Sequence, residues 1–454
     1  MKRKYKMAKM SDSFMFGLDG KILCNTLYYV INVGHNFNIE AYKKSLKYVV
    51  RDLPILSCKF SLGFWRDRWE YISDFDVEQI FQEIYLEEDF SHDKNSFYET
   101  AFSKFIELKN NCIDITKEAP FKIKVFCTKQ LESKVVVWEL HHTVTDGRGM
   151  LQIIELAGKY YNSILNGKNA DKGESSKKSF KDEFFTTTAN VLKVIFYTAK
   201  NLLKRNTIPK LEPVLELEEI QAGDDKYGSM SLEKFKIDLD EINKLKSLYG
   251  VYKFTINDII LHNILKFNMN YGLNLKKCNT YIKTDVRIDI RKYLKTKGLS
   301  IGNYSVPKTI YIKSDDLFNI PQIHNCFKDF KNSCVGLKVF YSYYILGIFP
   351  VRFIRHLLSK MTEKFLIDSY AGMSSTNVGK IDEYVKPYGE IIDDIFFIPC
   401  GGSYSFPLMC ISGYKNKLTI SFIRYNDKNK LTQKVKNDFE KILYEDLKKV
   451  KKSL

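Results

Sequence analysis

The sequence is poor in histidine, with seven in 454 residues, and none of its nine cysteines pair as Cys-x-x-Cys. An odd number of scattered thiols in a long chain argues against a disulfide framework and a zinc site. It suits reduced thiols and a cytoplasmic setting. The basic opening, MKRKYKMAKMSDSF, lacks the apolar core of a secretory signal. No uncharged apolar run reaches bilayer length. In 339–361, VFYSYYILGIFPVRFIRHLLSKM, the apolar part covers only about half a span, and Pro350, Arg352, Arg355 and His356 interrupt the remainder. That stretch suits a buried helix, or a peripheral membrane contact with a basic end. The chain shows no repeat of fixed period. It also shows no basic helix or aromatic RNA-binding motif, which sets nucleic acid aside as a partner.

What is present supports a large folded protein. Hydrophobic residues make up 44% and aromatics 14%, enough to build substantial cores, and the length fits two domains or lobes. The net charge of +17 attracts anions such as a phosphorylated cofactor, an acidic carrier protein or an anionic membrane surface. Most of the excess is lysine spread along the chain, as on solvated faces.

Apolar periodicity gives mixed α and β structure. Leu46, Val49, Val50 and Leu53 mark an amphipathic helix that ends before Pro54. Phe121, Ile123 and Val125 alternate as on a half-buried strand, and VVVWEL at 135–140 reads as a central strand. A helix follows from Met150 with Leu151, Ile154, Leu156, Tyr160 and Ile164 on one face, stopped by Gly167. A polar stretch at 166–183 and a basic amphipathic segment at 184–205 come next. Thr255 and Asp258 form a capping box ahead of the Ile256, Ile259, Ile260 and Ile264 stripe. FPLMCIS and KLTISFIRY pair across Gly413–Asn416, and Val435, Phe439, Ile442, Leu443 and Leu447 mark a last helix. The expected division is a first lobe at 1–175, a crossover at 176–230 and a second lobe at 231–454.

The chemistry concentrates in His141-His142-Thr143-Val144-Thr145-Asp146-Gly147-Arg148-Gly149. This stretch lies between the strand at 135–140 and the helix from Met150. Adjacent strand residues point to opposite faces, so one histidine faces a cleft and the other packs beneath it. Gly147 and Gly149 permit a tight turn into the helix. Asp146, if buried, needs a cationic or hydrogen-bonding partner. A metal site is a competing reading of His-x-x-x-Asp, but no third ligand is evident. A merely structural histidine pair is another.

HHTVTDG resembles the HHxxxDG motif of the chloramphenicol-acetyltransferase-like acyltransferases. That superfamily includes alcohol acetyltransferases, BAHD acyltransferases, wax ester synthases and peptide-synthetase condensation domains. The DGRG continuation resembles the alcohol acetyltransferase branch most. KYVVRDLPILSCKF at 47–60, TDVRIDIRKYL at 284–294 followed by Gly302-Asn303, and Ser375-Thr-Asn-Val-Gly379 resemble further segments of these enzymes in the same order. No DFGWG motif is present, which separates the chain from the plant BAHD branch, and no carrier domain accompanies it.

The resemblance implies an α/β fold of two lobes, each a mixed sheet flanked by helices, with an active-site tunnel between them. It implies that His142 is the general base that activates an alcohol or amine against the thioester of acyl-CoA. His141 and Gly147 would be structural, and Asp146 would pair with Arg287 across the lobes. Asn303, Thr376 and Asn377 would line the tunnel or stabilise the oxyanion. Acyl-CoA would be a co-substrate, with no resident cofactor and no metal. A carrier-protein donor, a non-catalytic binding protein on the same fold, and a hydrolase using Cys400 or Cys410 with a histidine remain alternatives.

Overall fold

The computed structural model describes residues 5–19, 23–90, 93–108, 112–168, 229–248, 254–271, 281–293, 299–313, scattered positions between 321 and 343, 345–358, 372–402, 406–427 and 430–453. The expected crossover at 176–230, almost throughout, and the amphipathic segment at 184–205 lie outside the described residues.

The first half of the chain runs β1 (Tyr5–Met7), α1 (Met10–Leu18), β2 (Leu23–Cys24), β3 (Thr26–Val33), α2 (Ile39–Asp52), β4 (Cys58–Ser61), β5 (Arg68–Tyr71), β6 (Phe81–Tyr85), α3 (Lys94–Glu107), β7 (Phe121–Cys127), β8 (Lys134–His141) and α4 (Gly147–Leu165). The second half has β9 (Met230–Asp238), α5 (Leu239–Leu248), α6 (Ile256–Tyr271), β10 (Tyr281–Asp289), β11 (Ser305–Lys313), β12 (Ser375–Lys380), α7 (Asp382–Val385), β13 (Ile392–Ile398), β14 (Gly401–Gly402), β15 (Leu408–Tyr414), β16 (Lys417–Tyr425) and α8 (Leu431–Ser453).

Two mixed sheets organise the lobes. The first has the order β13-β3-β8-β7-β6, and the second β11-β10-β12-β15-β16-β9. β8 lies inside the first sheet with β3 and β7 on either side. Helices cover both of its faces, which explains why Val135–Trp138 is a continuous apolar run. Val136, Trp138 and Leu140 pack with residues of α2 and α4, while Val135 and Val137 pack with Phe97, Ala101 and Phe105 of α3. In the second lobe, Met409, Ile411, Ile420 and Phe422 meet apolar residues of α5, α6 and α8. The other face of that sheet turns toward the first lobe, where Cys410 and Tyr414 join its core.

Local chemistry accounts for the boundaries. Asn38 caps α2 by accepting from the Ala41 amide. The Thr255–Asp258 capping box forms reciprocally: the Thr255 amide donates to Asp258 at 2.7 Å and the Asp258 amide to Thr255 Oγ1 at 3.3 Å. Lys415 and Asn416 both take positive φ, 44° and 59°, in the two-residue turn joining β15 to β16.

Three expectations need correction. The second lobe is not a closed unit of 231–454: β13 crosses over and pairs antiparallel with β3, Ile395 opposite Ile31 and Phe397 opposite Tyr29. Not all thiols are reduced, because Cys24 and Cys112 form a disulfide between residues 88 positions apart, with Cα atoms 5.8 Å apart. Spacing along the chain carried no sign of that pairing, because only the fold brings the two together. Finally, 339–361 is not one buried helix. A helical turn at 351–358 follows Pro350 and buries Val351 and Ile354, while Ile345, Ile348 and Phe349 are exposed.

The packing of α4 is tight enough to test. A Cβ on Gly158 would stand 2.5 Å from Cε2 of Tyr388, whose hydroxyl donates to the Ile154 carbonyl at 2.9 Å. Gly158→Ala improves helix propensity but overpacks this contact. The net outcome expected is a loss of about 1–2 kcal/mol, read from the urea midpoint at unchanged slope.

Candidate active site

β8 ends at His141, and the chain turns through 142–146 into α4. His141 is fully buried and His142 keeps a partly open edge. The His141 Nδ1 accepts the Thr143 amide at 3.2 Å, so its ring proton sits on Nε2, 3.4 Å from the Asp19 carboxylate. His141 thus holds the turn and faces away from solvent.

His142 is held differently. Its backbone amide donates to the Asn25 carbonyl at 2.6 Å. Its Nδ1 lies 2.8 Å from Oδ1 of Asn303, and Nδ2 of Asn303 faces the Thr143 carbonyl at 3.4 Å. With the amide nitrogen turned to a carbonyl, the oxygen faces the ring and Nδ1 must carry the proton. Nε2 is then the basic nitrogen. Burial pushes the imidazole below its ordinary pKa, although Asp146 and the Asn303 hydrogen bond pull the other way. The ring is therefore neutral near pH 7.

Asp146 is saturated. It caps α4 by accepting the Gly149 amide at 2.9 Å, and it accepts the Tyr304 amide at 2.8 Å. Arg291 completes it as a fork, with Nη2 on Oδ1 at 2.7 Å and Nη1 on Oδ2 at 3.0 Å. Burial alone would raise the carboxyl pKa, but Arg291 and the amides outweigh it and hold Asp146 below the usual carboxylate range. Thr145 stitches the same loop: its Oγ1 donates to the Gly302 carbonyl at 3.1 Å and accepts the Gly302 amide at 3.0 Å.

The pairing of Asp146 with Arg287 is therefore corrected to Arg291. The segment TDVRIDIRKYL contains Asp-x-Arg twice, at 285–287 and 289–291. Arg287 lies within β10, whereas Arg291 follows the strand end, where the chain turns toward Asp146. The end of the β10 alternation at Ile290 was the available signal. Arg287 Nη1 is buried and has no hydrogen-bond partner among the described residues.

Gly147 also has a different role from the one expected. Its φ is not positive. What requires glycine is space, because a Cβ there would lie 2.6 Å from Cζ of Phe397, the β13 residue that crosses over. The Gly147 carbonyl in turn accepts from the Tyr29 hydroxyl at 3.0 Å. At Gly149 a Cβ would collide with the Thr145 hydroxyl.

Of the other candidates, Asn303 reaches His142, while Thr376 and Asn377 sit on the strand β12. Ser375 pairs with Val286, so the next residues, Thr376 and Arg287, share one face of the sheet. Asn377 is tied to Asn257 and to the Gly379 amide, and so serves the local bend. The thiols of Cys58, Cys127, Cys400 and Cys410 are buried, and burial pushes them to about 12, 11, 11 and well above the ordinary value respectively. None of these four suits a nucleophilic role.

No protein-family model matches the sequence, and no curated protein matches it. Solved structures do. The TRI3 trichothecene 15-O-acetyltransferase from Fusarium sporotrichioides aligns with a TM-score of 0.66 at 13% identity, covering 98% of this chain and 95% of that one. The chain has the two-lobed chloramphenicol-acetyltransferase-like fold. The first condensation domain of the CDA synthetase matches at 0.62 and 10% identity over 98% and 96% of the two chains. The wax ester synthase/diacylglycerol acyltransferase from Marinobacter aquaeolei VT8 matches at 0.54 and 12% identity over 99% of each.

The two arginines give a direct test. Arg291→Ala leaves Asp146 charged and buried without its cation, and is expected to cost about 3–5 kcal/mol; Arg287→Ala is expected to cost much less. Denaturant titration of both variants measures the difference. The pH dependence rests on the same pair. Because the folded pKa of Asp146 is depressed, its stabilisation is present above its unfolded value, about 4, and is lost as pH falls through the lower folded value. Wild type is expected to lose this stabilisation as pH falls from about 4 to the lower folded value and to level off beneath it, and Arg291→Ala to show a shallower acid limb.

Proposed function

We propose that this protein is an acyltransferase that moves an acyl group from acyl-CoA to an alcohol or amine, with His142 as general base. The observation that carries the reading is the buried, neutral His142 whose Nδ1–H is fixed by Asn303, leaving Nε2 basic. Nε2 takes the proton from the acceptor hydroxyl or amine as its oxygen or nitrogen attacks the thioester carbonyl. The tetrahedral adduct collapses, the carbon–sulfur bond breaks, and the proton passes from His142 to the departing thiolate. No acyl-enzyme forms and no cysteine takes part, in keeping with the buried high-pKa thiols.

Asp146 and Arg291 position the loop without touching substrate. Asn303, whose two amide ends face His142 and the Thr143 carbonyl, is a positioning residue in this scheme. Thr376 and Arg287 are the candidates for contacts to substrate or the developing oxyanion. The excess positive charge suits the phosphates of coenzyme A or an acidic carrier protein. A starter condensation domain of the same fold was solved in complex with C8-CoA and Leu-SNAC, which supports the thioester class for the donor. A carrier-bound donor is the second reading, favoured by the condensation-domain neighbours. An alcohol acetyltransferase-like preference completes the proposal.

Thiol release from a panel of acyl-CoA donors, with and without alcohols and amines, tests this. Acceptor-dependent release is expected, and His142→Ala is expected to lower kcat by about 10²–10⁴-fold. kcat/KM should rise with pH through an apparent pKa below that of free imidazole and then level off, because the base works only when unprotonated. Release that survives in His142→Ala would remove the histidine from its role. Activity confined to carrier-loaded acyl groups would select the second reading.

A further inference from the structure

The hairpin tip between β4 and β5 and the residues around Pro350 form one surface with an inverted polarity. The two segments are joined through their backbones: the Val351 amide donates to the Trp65 carbonyl at 3.2 Å and the Arg352 amide to the Phe64 carbonyl at 3.1 Å. Arg66 reaches across to the carbonyls of Gly347 and Phe349. Arg355 pairs with the fully buried Asp67 and donates to the Gly63 carbonyl at 3.1 Å. Behind them, the ring of Tyr343 meets Phe14 of α1 at a tilt, with ring centroids 5.5 Å apart. These polar groups are turned inward and bonded to one another, while Phe64, Trp65, Ile345, Ile348, Phe349 and Phe353 are turned out. Trp65 is 62% exposed and Ile348 75%.

Side chains of this size left outside a well-bonded framework mark an interaction site. Their company identifies the partner. Residues 330–362 contain no aspartate or glutamate, yet include Lys331, Lys338, Arg352, Arg355 and Lys360. Arg352 is exposed beside Phe353. On the described surface Arg352 is exposed and Arg66 half-buried beside these aromatic and aliphatic side chains, while the carboxylate of Asp67 is turned inward against Arg355, a combination that matches the boundary of an anionic lipid leaflet. Among the described residues no helix is long and apolar enough to cross a membrane. We infer that residues 62–66 and 345–357 dock this protein on the surface of an anionic phospholipid bilayer, with Trp65 and Ile348 entering the headgroup–acyl boundary. The inference does not depend on the acyl-transfer reading.

Trp65 provides the readout. The chain has three tryptophans, and Trp69 and Trp138 are buried. The full chain would be mixed at low salt with vesicles of phosphatidylcholine alone, or of phosphatidylcholine with phosphatidylglycerol. Expected are co-sedimentation with the anionic vesicles, a blue shift of Trp65 emission and its quenching by brominated acyl chains. Ile348→Ser/Phe349→Ser, which keeps Trp65 and the Phe349 carbonyl, is expected to weaken vesicle binding about tenfold or more at unchanged circular dichroism. Three results would each overturn the inference. One is no sedimentation of wild type with anionic vesicles. Another is equal sedimentation of the double variant, which would reduce the effect to diffuse charge. The third is a wild-type dimer in light scattering that the double variant dissolves, which would assign the patch to a second copy of the chain.

Discussion

The arrangement around His142 rests on one buried ion pair, Asp146 with Arg291. Asp146 belongs to the first lobe and Arg291 to the second, and their fork of two hydrogen bonds joins the lobes at the root of the loop that carries His142. The carboxylate also holds the first turn of α4 through Gly149 and the segment leading into β11 through the Tyr304 amide. Between these anchors, Thr145 grips Gly302 from both sides. Asn303 is the next residue, and its reach to His142 is the product of that grip. The tautomer of His142 is thus set, through Asn303, by a salt bridge two loops away from its ring. A pair of this kind gives little net stability, since its desolvation offsets most of its attraction. What it supplies is a single arrangement of two loops from distant parts of the chain.

The glycines of the motif belong to the same constraint. Gly147 leaves room for Phe397 and Gly149 for the Thr145 hydroxyl. α4 can therefore start directly beneath the crossover strand, with its capped end against Asp146. A side chain at either position would push the helix away from the residues that orient His142.

Much of this was legible in the sequence. The alternation at 121–125, the run at 135–140 and the capping box at 255–258 each depend on neighbours a few residues away, and each formed as read; the hairpin read across Gly413–Asn416 formed with its turn narrowed to Lys415 and Asn416. His142, His141 and Asp146 were legible because a motif holds them together within six positions. The misread features all depend on contacts distant in sequence. Two Asp-x-Arg triplets four residues apart cannot be told apart until one knows where β10 ends. Nothing near Cys24 announces Cys112, and nothing near Phe397 announces that β13 leaves its own lobe for Tyr29. Exposure of the apolar residues at 345–349 was likewise unreadable, because composition does not say which side of a segment is covered.

The crossing of β13 has a consequence for how the molecule is made. Until residues 392–398 have been synthesised, the first-lobe sheet ends at β3, whose outer edge carries unpaired amides and carbonyls flanked by Tyr29 and Ile31. A ribosome that has released the whole of the first 175 residues has still not released a finished lobe. The nascent chain must carry an open, apolar strand edge through more than half of its synthesis. That edge closes only when the last lobe arrives, so the two lobes mature as one cooperative unit, and a chain cut between them would leave a sticky border in place of a domain.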